Sequence, residues 1–490
     1  MQVVVVGAGL GGLSAACHLR GAGHDVLVVE REDVPGGRAG RIERDGFSFD
    51  TGPTVLTMVD LVEDCFRAVG AELADHLSLR PVDPMYRACY ADGSRLRVWH
   101  DQTRMTTEIA DLCGPEEALS FGRFVTWLDE LYRLEMPNFI DRNFDSPLDL
   151  AWPLAPALKL VRAGGFRKLG KVVASYFDDD RLQRIFSFQS MYAGLAPYEA
   201  LAVYCVITYM DSIRGVYAAE GGMHAVPAAL ASAATKAGVD FRYGTGVERI
   251  VLAEGASGRV RGVRLAGGEL IEADAVVCNP DLPVAYRTLL PGLPMPRTAR
   301  RGSYSPSCLV WHVGVKGVAP ADAGHHNIHF GRQWDESFKA LLHDGTRMPD
   351  PSILVTVPSR DDPTLAPPGC SVLYVLEPAP NLDGVVDWTT ERSTARDQLA
   401  EKVASFGYPL DIVTEELVDP LDWERQGMER GTPFALSHAF FQTGPFRPAN
   451  VAKQAPGLVF VGSGTVPGVG VPMVLISGRL AAERVGQLQP

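Results

Sequence analysis

Residues 3–6 (VVVV) form an unbroken β-branched run that stops at glycine, the pattern of a strand buried on both faces. Leu10, Leu13 and Cys17 then recur at helical spacing, with Arg20 one turn on, and GHDVLVVE supplies a second buried strand ending in Glu30. Strand, helix and strand predict a βαβ unit. From Asp60 to about Arg142 the pattern reads as helix with charged faces, broken at Cys113-Gly114-Pro115. Residues 186–211 are rich in tyrosine and aliphatic side chains around Pro197, and periodicity does not separate a pocket wall from plain core there. A glycine turn opens a helix that ends before Gly238, and VERIVL, GRVRGVRL and ADAVVCNPD then predict a meander of short strands ending at Asp281. From 286 to 445, strands such as SCLVWHVGV and CSVLYVLEP alternate with helices such as Asp387–Phe406, predicting an α+β unit with an antiparallel sheet. Near the end, Leu458–Gly462 reads as a strand and Val471–Val485 as a helix with Pro472 in its first turn.

Composition narrows the function classes. A formal net charge of -13 argues against a general nucleic-acid binder. Eight scattered cysteines without a C-x-x-C pair read as reduced thiols in a cytoplasmic protein, with no zinc site or disulfide framework. Gln2–Val6 already looks structural, so no signal peptide is expected. The longest apolar run, Ala200–Met210, is far short of the roughly 20 residues of a spanning helix.

The chemistry concentrates at the two ends of the chain. Gly7-x-Gly9-x-x-Gly12, with Leu10 and Gly11 inside it, sits between strand and helix, and Glu30 ends the next strand. That is a dinucleotide loop: a tight turn, a helix N-terminus for a pyrophosphate, and an acid for a ribose hydroxyl. Gly36, Gly37 and Arg38 follow, placing a guanidinium where it can pair with phosphate oxygens. A second glycine-rich loop, VGSGTVPGVGVPM, lies more than four hundred residues later. Glycines 468 and 470 let backbone press against a flat ligand there, and a helix N-terminus at Val471 favours negative charge. No second G-x-G-x-x-G stands between strand and helix, so a separate nicotinamide site is not expected. His325, His326 and His329 read as a turn into a strand, which does not bring imidazoles together as metal ligands.

These motifs carry a family resemblance. Gly-x-Gly-x-x-Gly, acid and Gly-Gly-Arg together resemble the flavin-containing amine oxidase superfamily. FDTGPT (49–54), GSGTVPGVGVPMVLISG, GPFRPAN (444–450) and GHHNIHFGRQWDESF resemble carotenoid desaturases of the bacterial phytoene desaturase type, over essentially the whole chain. Val466 stands where that family commonly has histidine. The resemblance implies an α/β fold: a Rossmann-type domain of a two-dinucleotide-domain flavoprotein, built from 1–85, 215–285 and 450–490, holding FAD non-covalently. Residues 86–214 and 286–449 are then an α+β substrate domain with a helical membrane-facing segment. It implies cofactor contacts from Pro53, Thr54, Val247 and Asn279, and has Gly462, Gly470, Val471, Pro472 and Met473 meet the flavin ring.

It further implies stepwise dehydrogenation of 15-cis-phytoene toward lycopene, with hydride passing to flavin N5 and electrons then to oxygen or a quinone. Asp149 matches an acidic position that the family offers for proton transfer, although the neighbouring arginine is Leu148 here. Other desaturases or isomerases of the same fold, such as a 3,4-desaturase or a C30 enzyme, remain open. So do an amine oxidase, a non-catalytic flavin or lipid carrier, and a homo-oligomeric state. The amine oxidase alternative lacks the usual carboxy-terminal flavin-linking cysteine, the last cysteine being Cys370.

A polyene substrate arrives from a bilayer, which bears on residues 151–177. Lys159, Arg162, Arg167, Lys168 and Lys171 occur there without an acid, and Phe166, Leu169, Val173 and Tyr176 fall at helical spacing across Gly164-Gly165. A cationic amphipathic helix suits an anionic membrane surface, so peripheral membrane association is expected.

Overall fold

In the computed structural model, which describes residues 1–151, 154–253 and 258–488, the opening βαβ unit forms as expected. Strands Gln2–Val6 and Asp25–Val29 pair in parallel, with Val3 opposite Val26, and helix Leu10–Gly21 crosses between them. Three more strands complete a five-stranded parallel sheet in the order Leu458–Phe460, Ala275–Cys278, Gln2–Val6, Asp25–Val29 and Asp240–Arg242. Alternation sorts its side chains. Val3 and Val5 pack with helices Leu10–Gly21, Ala225–Lys236 and Val471–Gly486, whereas Val4 and Val6 pack toward a three-stranded antiparallel sheet and helix Leu282–Thr288. Both faces are covered, which is why these strands read as continuous apolar runs.

The predicted meander divides. Val247–Leu252, Val260–Leu265 and Leu270–Glu272 pair antiparallel, but Ala275–Cys278 leaves them and inserts between the first and last strands of the chain. That insertion carries Asn279 to the point where the two glycine loops meet.

The second sheet has seven strands, in the order Asp411–Val418, Ser307–Lys316, Cys370–Ala379, Ile353–Thr356, His326–His329, Tyr86–Cys89 and Arg95–Val98. All its pairs are antiparallel except His326–His329 with Tyr86–Cys89, which is parallel. Two of its strands therefore come from the stretch that reads as helical. Tyr86, Ala88, Leu96 and Val98 point inward while arginines alternate outward, a period of two hidden by its shortness. Helix Trp388–Ser405 covers one face of this sheet. Opposite the other face stand helices Pro115–Glu135 and Cys205–Ser212, with an aromatic core between them.

The cationic segment is not one helix. Leu154–Arg162 and the short Leu169–Val173 are separated at Gly164, whose φ of +80° breaks helical geometry. Leu169 and Val173, assigned to an apolar outer face by periodicity, are buried in the core. The outward apolar face is instead Leu154, Leu158 and Val161. Positions 152 and 153 of this segment, and 489 and 490 of the last one, lie outside the described residues. No described helix is long and apolar enough to cross a membrane.

Candidate active site

A cavity of about 1330 Å³ begins at the ends of the parallel strands and continues between the seven-stranded sheet and its helical cover. Gly7, Gly9, Leu10, Gly11, Glu30, Gly37, Arg38, Pro53, Thr54, Val247 and Asn279 line its first part, and Gly462, Gly470, Val471, Pro472 and Met473 its middle. Gly12 lies just behind the lining. Asp149 is away from it, in a 3₁₀ turn where its carboxylate accepts the Asp145 and Ser146 N–H groups at 2.8 and 3.0 Å. Those two bonds hold its carboxyl below the usual range.

Backbone dominates the first part. A Cβ on Gly9 would come within 2.9 Å of Asn279 Nδ2, and one on Gly12 would collide with the Gly7 carbonyl oxygen. Gly36 N–H donates to Ala8 O at 2.9 Å, tying the Gly-Gly-Arg turn to the first loop. The buried Glu30 carboxylate accepts Ala8 N–H at 2.6 Å and Glu32 N–H at 3.0 Å. Arg38 is engaged with protein: it donates to Ser463 Oγ at 2.6 Å and pairs with Asp281 at 3.3 Å. It thereby links the turn after Glu30 to the closing loop.

Asn279 is the wedge between the two loops. Its amide faces Gly7 O at 3.4 Å, and its Oδ1 lies 3.0 and 3.1 Å from where side chains on Gly11 and Gly462 would begin. Helices Leu10–Gly21 and Val471–Gly486 both start at a glycine that makes no side-chain capping bond, so orphan N–H groups of each look toward the cavity. The two helices touch: a Cβ on Gly478 would lie 2.5 Å from Ser14 Cβ, and Ser14 Oγ donates to Leu475 O at 2.7 Å. An extended cradle without side chains, two uncapped helix ends and a buried acid suit a long dinucleotide with two separated anionic regions.

Beyond the closing loop the walls turn apolar, with Phe188, Leu201, Val203, Ile207, Phe330 and Leu354 among them. Polar groups there are few and costly. Glu135 is fully buried, Oε1 has no partner, and burial pushes its carboxyl well up. Burial presses His326 down to about 3 and also pushes His438 well below the usual imidazole range, so both rings are neutral. Sequence reasoning passed over Glu135, Tyr86 and Asp211, and weighed His326 only as a metal ligand. Each comes from a different segment, and only the packing of helices Pro115–Glu135 and Cys205–Ser212 on the seven-stranded sheet brings them together.

Comparison with known proteins fits this geometry. The model of the flavin-containing amine oxidoreductase family matches residues 10–486. The chain belongs to that family. A phytoene dehydrogenase of Streptomyces griseus is 50% identical over 99% of this chain and 95% of its own length. A zeta-carotene-forming phytoene desaturase of Myxococcus xanthus is 39% identical over 99% of this chain and 93% of its own. In fold, cyclohexylamine oxidase from Brevibacterium oxydans superposes with a TM-score of 0.60 at 17% identity, over 99% of this chain and 98% of that one. This chain is thus an FAD-dependent oxidoreductase, and the glycine-lined part of the cavity fits that cofactor.

Proposed function

We propose that this enzyme desaturates 15-cis-phytoene stepwise toward lycopene. The carrying observation is the continuity of the cavity: the cofactor cradle opens directly into an aromatic and aliphatic chamber suited to a long hydrocarbon. The 50% identity to a phytoene dehydrogenase supports the choice of substrate. FAD supplies the hydride acceptor. Residues 1–85, 215–285 and 450–490 form the cofactor domain in this reading, with Gly7–Gly12 on the pyrophosphate and Glu30 on a ribose hydroxyl. The helix N-terminus at Val471–Met473 would favour the negative charge that the bound cofactor takes up on reduction. The apolar walls orient the polyene and keep water from the reacting carbons. Anaerobic mixing of FAD-loaded protein with phytoene liposomes tests this. The flavin should bleach and a longer-wavelength polyene should appear; an unbleached flavin would refute the reading.

Delivery is proposed to occur at the membrane surface through the face of Leu154–Arg162. Ala157 and Leu160 line the cavity from one side of that helix, while Leu154, Leu158 and Val161 are 56%, 48% and 58% exposed on the other. Phe166 and Phe440 also line the cavity and pack edge to face, and Phe441 beside them is 74% exposed. Lys159, Arg162, Arg167, Lys168 and Lys171 surround this patch in sequence and are exposed. Changing Leu154, Leu158, Val161 and Phe441 to serine should reduce co-sedimentation with anionic vesicles at least about tenfold. Replacing the five cations by glutamine should weaken it mainly at low salt. Unchanged binding by the serine variant would exclude this face.

A further inference from the structure

Asp211 closes the helix Cys205–Ser212 and is nearly inaccessible to solvent, yet it lines the apolar chamber. Its Oδ1 accepts Ser212 Oγ and, at 3.4 Å, Gln189 Nε2. Its Oδ2 has no hydrogen-bond partner. The Tyr86 hydroxyl lies near enough to favour the charged carboxylate without a well-formed bond. Buried polar atoms are seldom left unpaired, because each one costs free energy.

Its surroundings place this carboxyl near the cofactor cradle. The Tyr86 ring packs against His326 with centroids 5.1 Å apart. His326 Nδ1 is 3.1 Å from Thr356 Oγ1, which in turn lies 3.4 Å from Thr54 Oγ1 in the loop that lines the cradle. Met473, at the start of the closing helix, packs against the core that contains Tyr86 and Met210. A row of polar groups therefore runs along the chamber wall from the cradle to Asp211. Asp149, by contrast, has both bonds to its own turn and does not line the chamber.

We propose that Asp211 is the proton acceptor of the desaturation, with Tyr86 positioning and tuning it. The inference rests on the desaturase reading. As hydride leaves one carbon for the flavin, the C–H bond on the adjacent carbon breaks and its electron pair forms the new C=C bond. The proton forms an O–H bond with the free Oδ2. The titratable groups facing Asp211 are Tyr86, from the strand Tyr86–Cys89, and Tyr192, from the turn Phe188–Ala193. Both phenols are held neutral by burial. Burial raises the Asp211 carboxyl to about 7, against the hydrogen bonds from Ser212 and Gln189 and the weaker pull of the nearby Tyr86 hydroxyl. A group there can both take up a proton and release it between turnovers.

Infrared titration of substrate-free holoenzyme between about pH 5 and 9 should show a protonated carboxyl lost near neutrality, and Asp211→Asn should remove that signal. In anaerobic single turnover with phytoene liposomes, wild-type flavin reduction should quicken as pH rises through the same midpoint. Asp211→Asn should keep its FAD, slow reduction roughly 100-fold and abolish the pH dependence. Tyr86→Phe removes an influence that favours the charged form, so infrared and kinetic midpoints should both move up. This second variant decides the matter if Asp211→Asn does not fold. Wild-type flavin reduced normally, with Asp211→Asn within about threefold of it or Tyr86→Phe leaving both midpoints unmoved, would overturn the proton site alone. Wild-type flavin that phytoene does not reduce would overturn the desaturase reading, and this inference with it.

Discussion

Gly12→Ala should yield protein that has lost FAD affinity by at least about 100-fold, equivalent to roughly 3 kcal/mol. The new methyl would collide with the carbonyl oxygen of Gly7, and it would also come within 3.2 Å of Asn279 Nδ2. Neither neighbour is free to retreat. Gly7 N–H is bonded to Val29 O at 2.8 Å, and Asn279 N–H to Val6 O at 3.0 Å, both at the ends of central strands. The helix would have to move instead, and it is locked to the closing helix through Gly478 and Ser14. One methyl group therefore disturbs both ends of the cofactor cradle. Gly486→Ala is the matched control, since a Cβ there meets nothing within 4 Å and the position has no positive φ. It should be neutral or stabilising by up to about 1 kcal/mol. Flavin absorbance after gel filtration, with apparent Kd from titration of the apoprotein, reads both. Stoichiometric FAD in Gly12→Ala would show that the loop has slack the geometry denies it.

What the sequence made legible follows from how far each signal extends along the chain. The dinucleotide loop is local: strand, glycines, helix and acid lie within about thirty consecutive residues, a span that sequence patterns describe well. The closing strand and helix are equally contiguous, and their observed bounds, Leu458–Phe460 and Val471–Gly486, differ by a residue or two from expectation. The chamber is the opposite case. Tyr86 arrives on a short strand, one in from the sheet edge, hidden in arginine-rich text, and His326 on the strand beside it. Asp211 ends one helix, and Glu135 reads as one more acid on a charged helix until the fold buries it. Nothing local marks these residues as chamber groups (the GHHNIHF cluster points only to a metal reading), because their chemistry arises from desolvation that only tertiary packing supplies. The cationic segment fails for a related reason. Apolar spacing continues through Gly164-Gly165 as if the helix did, yet Gly164 turns the chain and sends Leu169 and Val173 into the core.

Arg447→Leu should be still more damaging, lowering the stability of the apoprotein by about 4 kcal/mol or more. Arg447 is only 2% exposed and makes no carboxylate pair. Its guanidinium instead donates to four backbone carbonyls: Thr465 at 3.1 Å, Gln442 at 3.2 Å, Leu436 at 3.1 Å and Ser463 at 2.6 Å. Burial draws its own pKa down to about 10, so the side chain stays charged at neutral pH. Removing it leaves the carbonyls buried and unsatisfied in a segment with no regular ladder to take them. Two of the four belong to the closing loop, and Ser463 also receives Arg38, so the loop should lose its shape and FAD its second anchor. Arg447→Lys separates charge from geometry. An ammonium keeps the charge but, on one nitrogen with three donors, cannot reach four carbonyls spread around a plane. It should recover less than half of the lost stability. Urea unfolding of the apoproteins gives the ranking without the stabilisation that bound FAD would add. If Arg447→Leu unfolds within about 1 kcal/mol of wild type and still binds FAD, the carbonyls have found other donors and the loop does not depend on this guanidinium.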